Sequence, residues 1–150
     1  MDIQAILDVI VSHAMASGYF ETVNGHEPKS APGNGITCGV WSQEIGPAPS
    51  GSGLAATTAL VVWNVRLYTS MLAEPQDAID PQMMLATSAL IGAYSGDFQL
   101  GSTARNVDLL GQAGTPLRAR AGYQTIDNKI FRIMNIDLPV LVNDAWQQVA

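Results

Sequence analysis

Charge is what this sequence has least of: seven Lys and Arg and thirteen Asp and Glu in 150 residues, 13% in all, against about 25% in a typical globular chain. A freely diffusing domain normally carries a shell with roughly 25–35% charged residues. A chain without one either covers much of its outside with copies of itself or with partners, because interface cores are depleted in Lys, Glu and Asp, or presents an uncharged surface of Ser, Thr, Gln, Asn, Gly and Ala. Positive charge is scarcest in residues 1–100, where Lys29 and Arg66 face nine acids. Residues 101–150 hold Arg105, Arg118, Arg120, Lys129 and Arg132 against four acids, so the first part is −7 and the last +1. Two basic residues in 100 exclude tight binding of that part to a nucleic-acid backbone, which needs clustered Lys and Arg to release counterions.

Other absences narrow the field. A single cysteine, Cys38, excludes an intrachain disulfide, and Asp2 stands where a secretory leader would carry positive charge, so a reducing cytoplasm is the expected setting. Asn64, Arg66, Glu74, Asp77, Asp80 and Asp97 break the apolar runs well short of the 18 or so residues of a membrane span. Histidine occurs twice, as His13 and His26.

What is present reads as one α+β domain over residues 1–150, with a mostly antiparallel sheet and two helices packed on it. Residues 2–17 put Ile3, Ile6, Leu7, Ile10, His13 and Ala14 at helical spacing, with Asp2 at the positive end and Gly18 past the last turn. Residues 24–35, with two prolines and three glycines, are an extended loop. Residues 36–45 and 57–69 alternate as strands. In the second, Val61, Trp63, Val65 and Leu67 share one face, and Leu60, Val62 and Tyr68 the other. A strand apolar on both faces is sandwiched, or is covered later by another chain. Between these strands, residues 46–56 (GPAPSGSGLAA) form an uncharged loop, longer than a hairpin needs and expected to be flexible.

Asp77 and Asp80 fit the N-cap preference and Pro81 the first turn of a second helix, whose face is Met84, Thr87, Leu90 or Ile91 and Tyr94, ending at Gly96. Residues 106–110 form a short strand. Asp127 and Asn128 tolerate the positive φ of a two-residue turn, which fixes a final hairpin whose partner numbers sum to 255, with Arg118 opposite Asp137 and Tyr123 opposite Arg132. Pro139 ends or edges its second strand, leaving residues 140–150 as a tail anchored by Trp146.

No set of residues converges on a catalytic, cofactor or metal site, so none is expected. His13, on an apolar stripe, reads as a packed or interface histidine, and Cys38 as a small buried hydrophobe. The carboxylates Glu74, Asp77 and Asp80 would form a hard-cation site only on a continuous helix, which Pro75 and Pro81 interrupt. The Gly33-Asn34-Gly35 and Gly51-Ser52-Gly53 runs lack the remainder of any phosphate-binding fingerprint. Arg118, Arg120, Lys129 and Arg132 on one hairpin suit either a phosphate or a salt-bridged contact between subunits, with Asp127 and Asp137 near enough to weaken their field.

Four stretches, VNGHEPKSAPGNGITC (23–38), WNVRLYTSMLAEPQDAIDP (63–81), GDFQLGSTARNVDLLG (96–111) and NIDLPVLVNDAW (135–146), resemble the small tail terminator, or neck-region, proteins of long-tailed bacteriophages that infect actinobacteria. The resemblance implies a non-enzymatic virion protein, made in the host cytoplasm, that forms a homohexameric ring on the head-proximal end of the tail tube. Such a ring stops tube growth and offers a surface for head-tail joining. Its partners would be itself, the tail tube protein and a head-completion or connector protein, with DNA only passing through the lumen and no membrane involved. An acidic lumen would repel phosphates, and residues 46–56 and the hairpin tip at Asp127 would reach neighbouring rings. The alternatives are another head-tail connector or, in a different class, a small enzyme or ligand-binding domain using Cys38, His26 or the Glu74, Asp77 and Asp80 acids.

Overall fold

The computed structural model describes residues 1–49, 53 and 55–149. Helix α1 (Ile3–Ala16) begins where the Asp2 carboxylate accepts the Ala5 N–H at 3.0 Å and ends before Gly18 at φ +79°. A three-residue strand, β1 (Thr22–Asn24), then runs parallel to β2 (Thr37–Pro47). Its sequence has no alternation to announce it. β3 (Ala56–Ser70) pairs antiparallel with β2, and helix α2 (Ile79–Gly96), β4 (Asn106–Val107), β5 (Arg118–Ile126) and β6 (Lys129–Gln147) follow. The strands form one mixed, mostly antiparallel curled sheet in the order β1-β2-β3-β6, with β5 and β4 sharing the outer side of β6. The fold is therefore α+β with both helices on one face.

That face carries the main core. Ile6 and Ile10 of α1 and Met83, Leu90 and Tyr94 of α2 close over Cys38, Val40, Val61, Val65, Leu67, Ile136 and Leu138. The two faces of β3 divide as the alternation predicts: Leu60 and Val62 join Ala48 and Leu141 in a second apolar cluster on the opposite side. The β5–β6 hairpin keeps partner numbers summing to 255, turning on Asp127 (φ +51°) and Asn128 (φ +62°).

Several local expectations are corrected. Pro139 neither ends β6 nor lies at its tip: the strand continues to Gln147, so residues 140–147 are sheet rather than tail, and Trp146 sits opposite Thr57, partly exposed. The Pro139 carbonyl accepts the Asp108 N–H at 3.0 Å on the outer side of β6. In a strand a residue's N and C=O point the same way, so the missing N–H falls where β5 has stopped and β4 begins, and no bond to β3 is lost. Asp77 and Asp80 do not cap α2. The chain enters through a single 3₁₀ turn (Gln76–Ala78), so the residue before α2 is already helical and Asp80 lies inside the first turn. The buried stripe of α2 runs through Met83 rather than Met84, which faces outward. The strand expected over residues 106–110 is only two residues long. Strand pairing takes in both ends of the 46–56 segment, with Gly46 and Pro47 opposite Leu60 and Ala59 and Ala56 opposite Gln147. Within it Ser50, Gly51, Ser52 and Leu54 lie outside the described residues.

Candidate functional site on the helix-free face of the sheet

The helix-free face is polar in its middle because two apolar strands carry matching interruptions. Asn64 and Arg66 of β3 stand opposite Asp137 and Asn135 of β6. The Asn64 Oδ1 accepts from Gln43 Nε2 at 3.2 Å and from Asn135 Nδ2 at 3.1 Å; Asp137 Oδ1 accepts from the same two amides at 3.3 and 3.2 Å. Gln43 reaches them because it is the extra residue of a β-bulge, between Ser42↔Trp63 and Glu44↔Val62. Arg66 donates from Nε to Asn135 Oδ1 and from Nη1 to Gln124 Oε1, both at 2.9 Å, with its guanidinium 5.1 Å from the centroid of Trp41. Arg118 Nε reaches Asp137 Oδ2 at 3.4 Å and Arg120 Nη2 lies 3.8 Å from the same oxygen. Asp137 is thus a buried carboxylate, 7% exposed, shared by guanidinium side chains that are 50% and 71% exposed. Among the described residues Arg66 has no carboxylate partner, so three arginines meet one acid on a chain of net charge −6.

Beside this network the segment 25–35 crosses the same face as a strap. Pro28 and the His26 carbonyl lie against Gly39, where a Cβ would stand 3.2 and 3.1 Å from them, and the Ala31 N–H donates to Asp127 Oδ2 at 2.8 Å at the hairpin tip. Tyr68 and Phe131 on this face are fully buried. Burial raises the Tyr68 phenol above its ordinary pKa, with Arg66 pulling the other way.

The groups considered for chemistry do not come together. Cys38 points into the core beneath the helices, where burial pushes its thiol up to about 12, while His26 lies on the exposed strap with Nδ1 3.0 Å from the Glu27 carbonyl. Asp77 and Asp80 line an open cleft of about 410 Å³, but Asp80 is forked by Arg132 at 2.9 and 3.4 Å, with that guanidinium stacked 4.6 Å from the Tyr123 ring. Arg132 therefore leaves the basic group read from the hairpin, and Arg66, from a distant strand, takes its place beside Arg118 and Arg120. Among the described residues no three His, Cys, Asp or Glu side chains are grouped to hold a metal ion, and no helix is long and apolar enough to cross a membrane.

His13 is packed as expected, between α1 and the end of α2. Its Nε2 lies 2.8 Å from Asp97 Oδ2 and its ring meets Tyr94 edge-on at 5.8 Å. The Gly101 N–H and His13 hold the Asp97 carboxyl below its ordinary value of 3.8. A depressed carboxylate stabilises the fold fully above its unfolded pKa and loses that contribution as pH falls through the folded value. The melting-temperature gap between wild type and Asp97→Asn is therefore expected to be largest near neutrality and to close as pH drops below 3.8, read by thermal melts across an acid series. A gap independent of pH would remove the electrostatic account.

The surface matches the scarcity of charge. Met84 opens with Ile91, Ala119 and Met134 onto a groove between α2 and β5, and Phe98, Leu109 and Leu110 line another beside β4. Between Asp80 and Asp97 the helix carries no charged residue at all. Asp108 pins the second groove by accepting the Gln112 and Ala113 N–H groups at 3.0 and 2.9 Å. No protein-family model matches this sequence, and comparison with curated proteins returns no match.

Proposed function

We propose that this chain is a structural subunit that closes into a ring at the head-proximal end of a phage tail tube, where it terminates tube growth and presents the surface for head-tail joining. The observation that carries this reading is the outward apolar surface. Met84 and Leu85 on α2 are each 59% exposed and Leu110 is 86% exposed, on a chain with too few charges to keep such surface in water. Apolar patches of this kind mark contacts between proteins. The resemblance of the four sequence stretches supplies the ring, its six-fold number, its tail-tube and connector partners and its place in the virion. The acidity of residues 1–100 suits a lumen through which DNA passes without adhering, and the scatter of Cys38, His26 and the acids supports a role without catalysis. In light scattering coupled to size-exclusion chromatography, the purified protein is expected to run as a discrete oligomer, with rings visible in negative stain. A protein that stays monomeric across a wide concentration range overturns the reading.

A further inference from the structure

Both long edges of the sheet are open. Among the described residues no strand pairs with the outer side of β5, and none pairs with the outer side of β2 beyond the three residues covered by β1. Such an edge is a row of N–H and C=O groups ready to pair with another chain. The bulge at Gln43 interrupts the β2 edge, which leaves residues 44–47 as its regular outer stretch; there Ile45 turns an N–H and a carbonyl outward, and Pro47, which has no N–H, a carbonyl alone.

The two edges carry opposite charge on the same face. Arg118 and Arg120 on β5 stand opposite Asp137 and Asn135, and Glu44 on β2 stands opposite Val62. Val62, Asn135 and Asp137 all belong to the helix-free side, so an exposed acid at one edge and two largely exposed arginines at the other share a face. Among the described residues Glu44 has no cation within salt-bridge distance, and the two arginines have only Asp137 between them. Side chains alternate regularly along paired strands. A sheet continued from the β5 edge of one copy to the β2 edge of another therefore makes Glu44 and the arginines cross-strand neighbours. Because the two edges differ, the contact is heterologous, the kind that builds a ring when the rotation between copies closes and a filament when it does not.

Resting on the ring reading above, we propose that successive copies of this chain join edge to edge, β5 of one pairing with residues 44–47 of β2 of the next, with Glu44 held by Arg118 and Arg120. Arg120 is the residue to reverse, because its side chain is 71% exposed and only loosely held, 3.8 Å from Asp137. Arg120→Glu and Glu44→Arg are each expected to raise the concentration at which the oligomer half-dissociates by about tenfold or more, and the double reversal to bring it back towards wild type. Light scattering reads the association, and unchanged circular dichroism and melting show that each variant folds. Bifunctional maleimide bridging of a Glu44→Cys, Arg120→Cys variant is expected to give a ladder of linked copies, with the buried Cys38 silent. An oligomer that persists untouched by the single reversals, or is not restored by the double, overturns the edge pairing and leaves the ring to another surface. A wild-type monomer overturns both. Retention of a short single-stranded DNA by wild type, lost in Arg120→Glu without change in association, overturns it in favour of nucleic acid as the occupant of the arginines.

Discussion

Asp137→Ala is expected to lower the unfolding free energy by about 2–3 kcal/mol. Removing one member of a fully buried ion pair costs about 3–5 kcal/mol, but this pair is buried on one side only. The Arg118 and Arg120 side chains are 50% and 71% exposed and can turn to water, so the loss of their Coulomb attraction contributes little, as in surface pairs. The larger share comes from Gln43 and Asn135, whose amides donate to the Asp137 Oδ1 in a part-buried setting and lose that acceptor. Each stranded donor costs about 1–3 kcal/mol before relaxation, and both retain Asn64 as an alternative acceptor, which keeps the total below the fully buried case. Asp137→Asn preserves the shape and one oxygen and is expected to cost about 1 kcal/mol. Urea unfolding of the three proteins reads both numbers. Equal stability of wild type and Asp137→Ala would mean that the network contributes nothing to the fold.

That network shows where the sequence was legible and where it was not. The hairpin register could be written down because Asp127 and Asn128 demand a two-residue turn, and one turn fixes every partner across β5 and β6. The double-faced character of β3 was legible from its alternation. The pairing of β3 with β6 was not, because some sixty residues separate the strands and no local rule joins them. Pro139, read as a stop, concealed how far β6 extends. A usable signal was nonetheless present: each of two otherwise apolar strands has polar residues at alternate positions, Asn64 and Arg66 in one and Asn135 and Asp137 in the other. Buried polar groups need partners, so aligning those interruptions yields the β3–β6 register and places Arg66 beside the hairpin arginines. The corrected stripe of α2 has a similarly local cause. Once the helix starts at Ile79, the spacing Ile79, Met83, Thr87, Leu90, Tyr94 follows one face, and Met84 turns away by one helical step.

The other large effect is expected at Tyr94, where the cost of removing volume can be separated from the cost of removing a hydrogen bond. Tyr94 is fully buried in the main core, its hydroxyl donates to the Ile10 carbonyl of α1 at 3.0 Å, and its ring meets His13 edge-on. Burial keeps the phenol protonated, its pKa well above the ordinary value, so it remains a donor. Tyr94→Ala leaves a void between α1, α2 and the sheet and is expected to cost about 3–5 kcal/mol, as for other large core truncations. Tyr94→Phe retains the ring and the His13 contact. The Ile10 carbonyl lies inside α1, where the backbone ladder also supplies a donor, so the loss is expected to be only about 0.5–1.5 kcal/mol. Because α1 enters the core through just Ile6, Ile10 and Ala14 as fully buried side chains, the Ala variant is expected to loosen α1 before the sheet. Its amides would then exchange with solvent faster than those of β3 and β6. Comparable losses in the Phe and Ala variants would place the stabilisation in the hydrogen bond. Uniform acceleration of exchange in helix and strands would show that α1 and the sheet unfold as one cooperative unit.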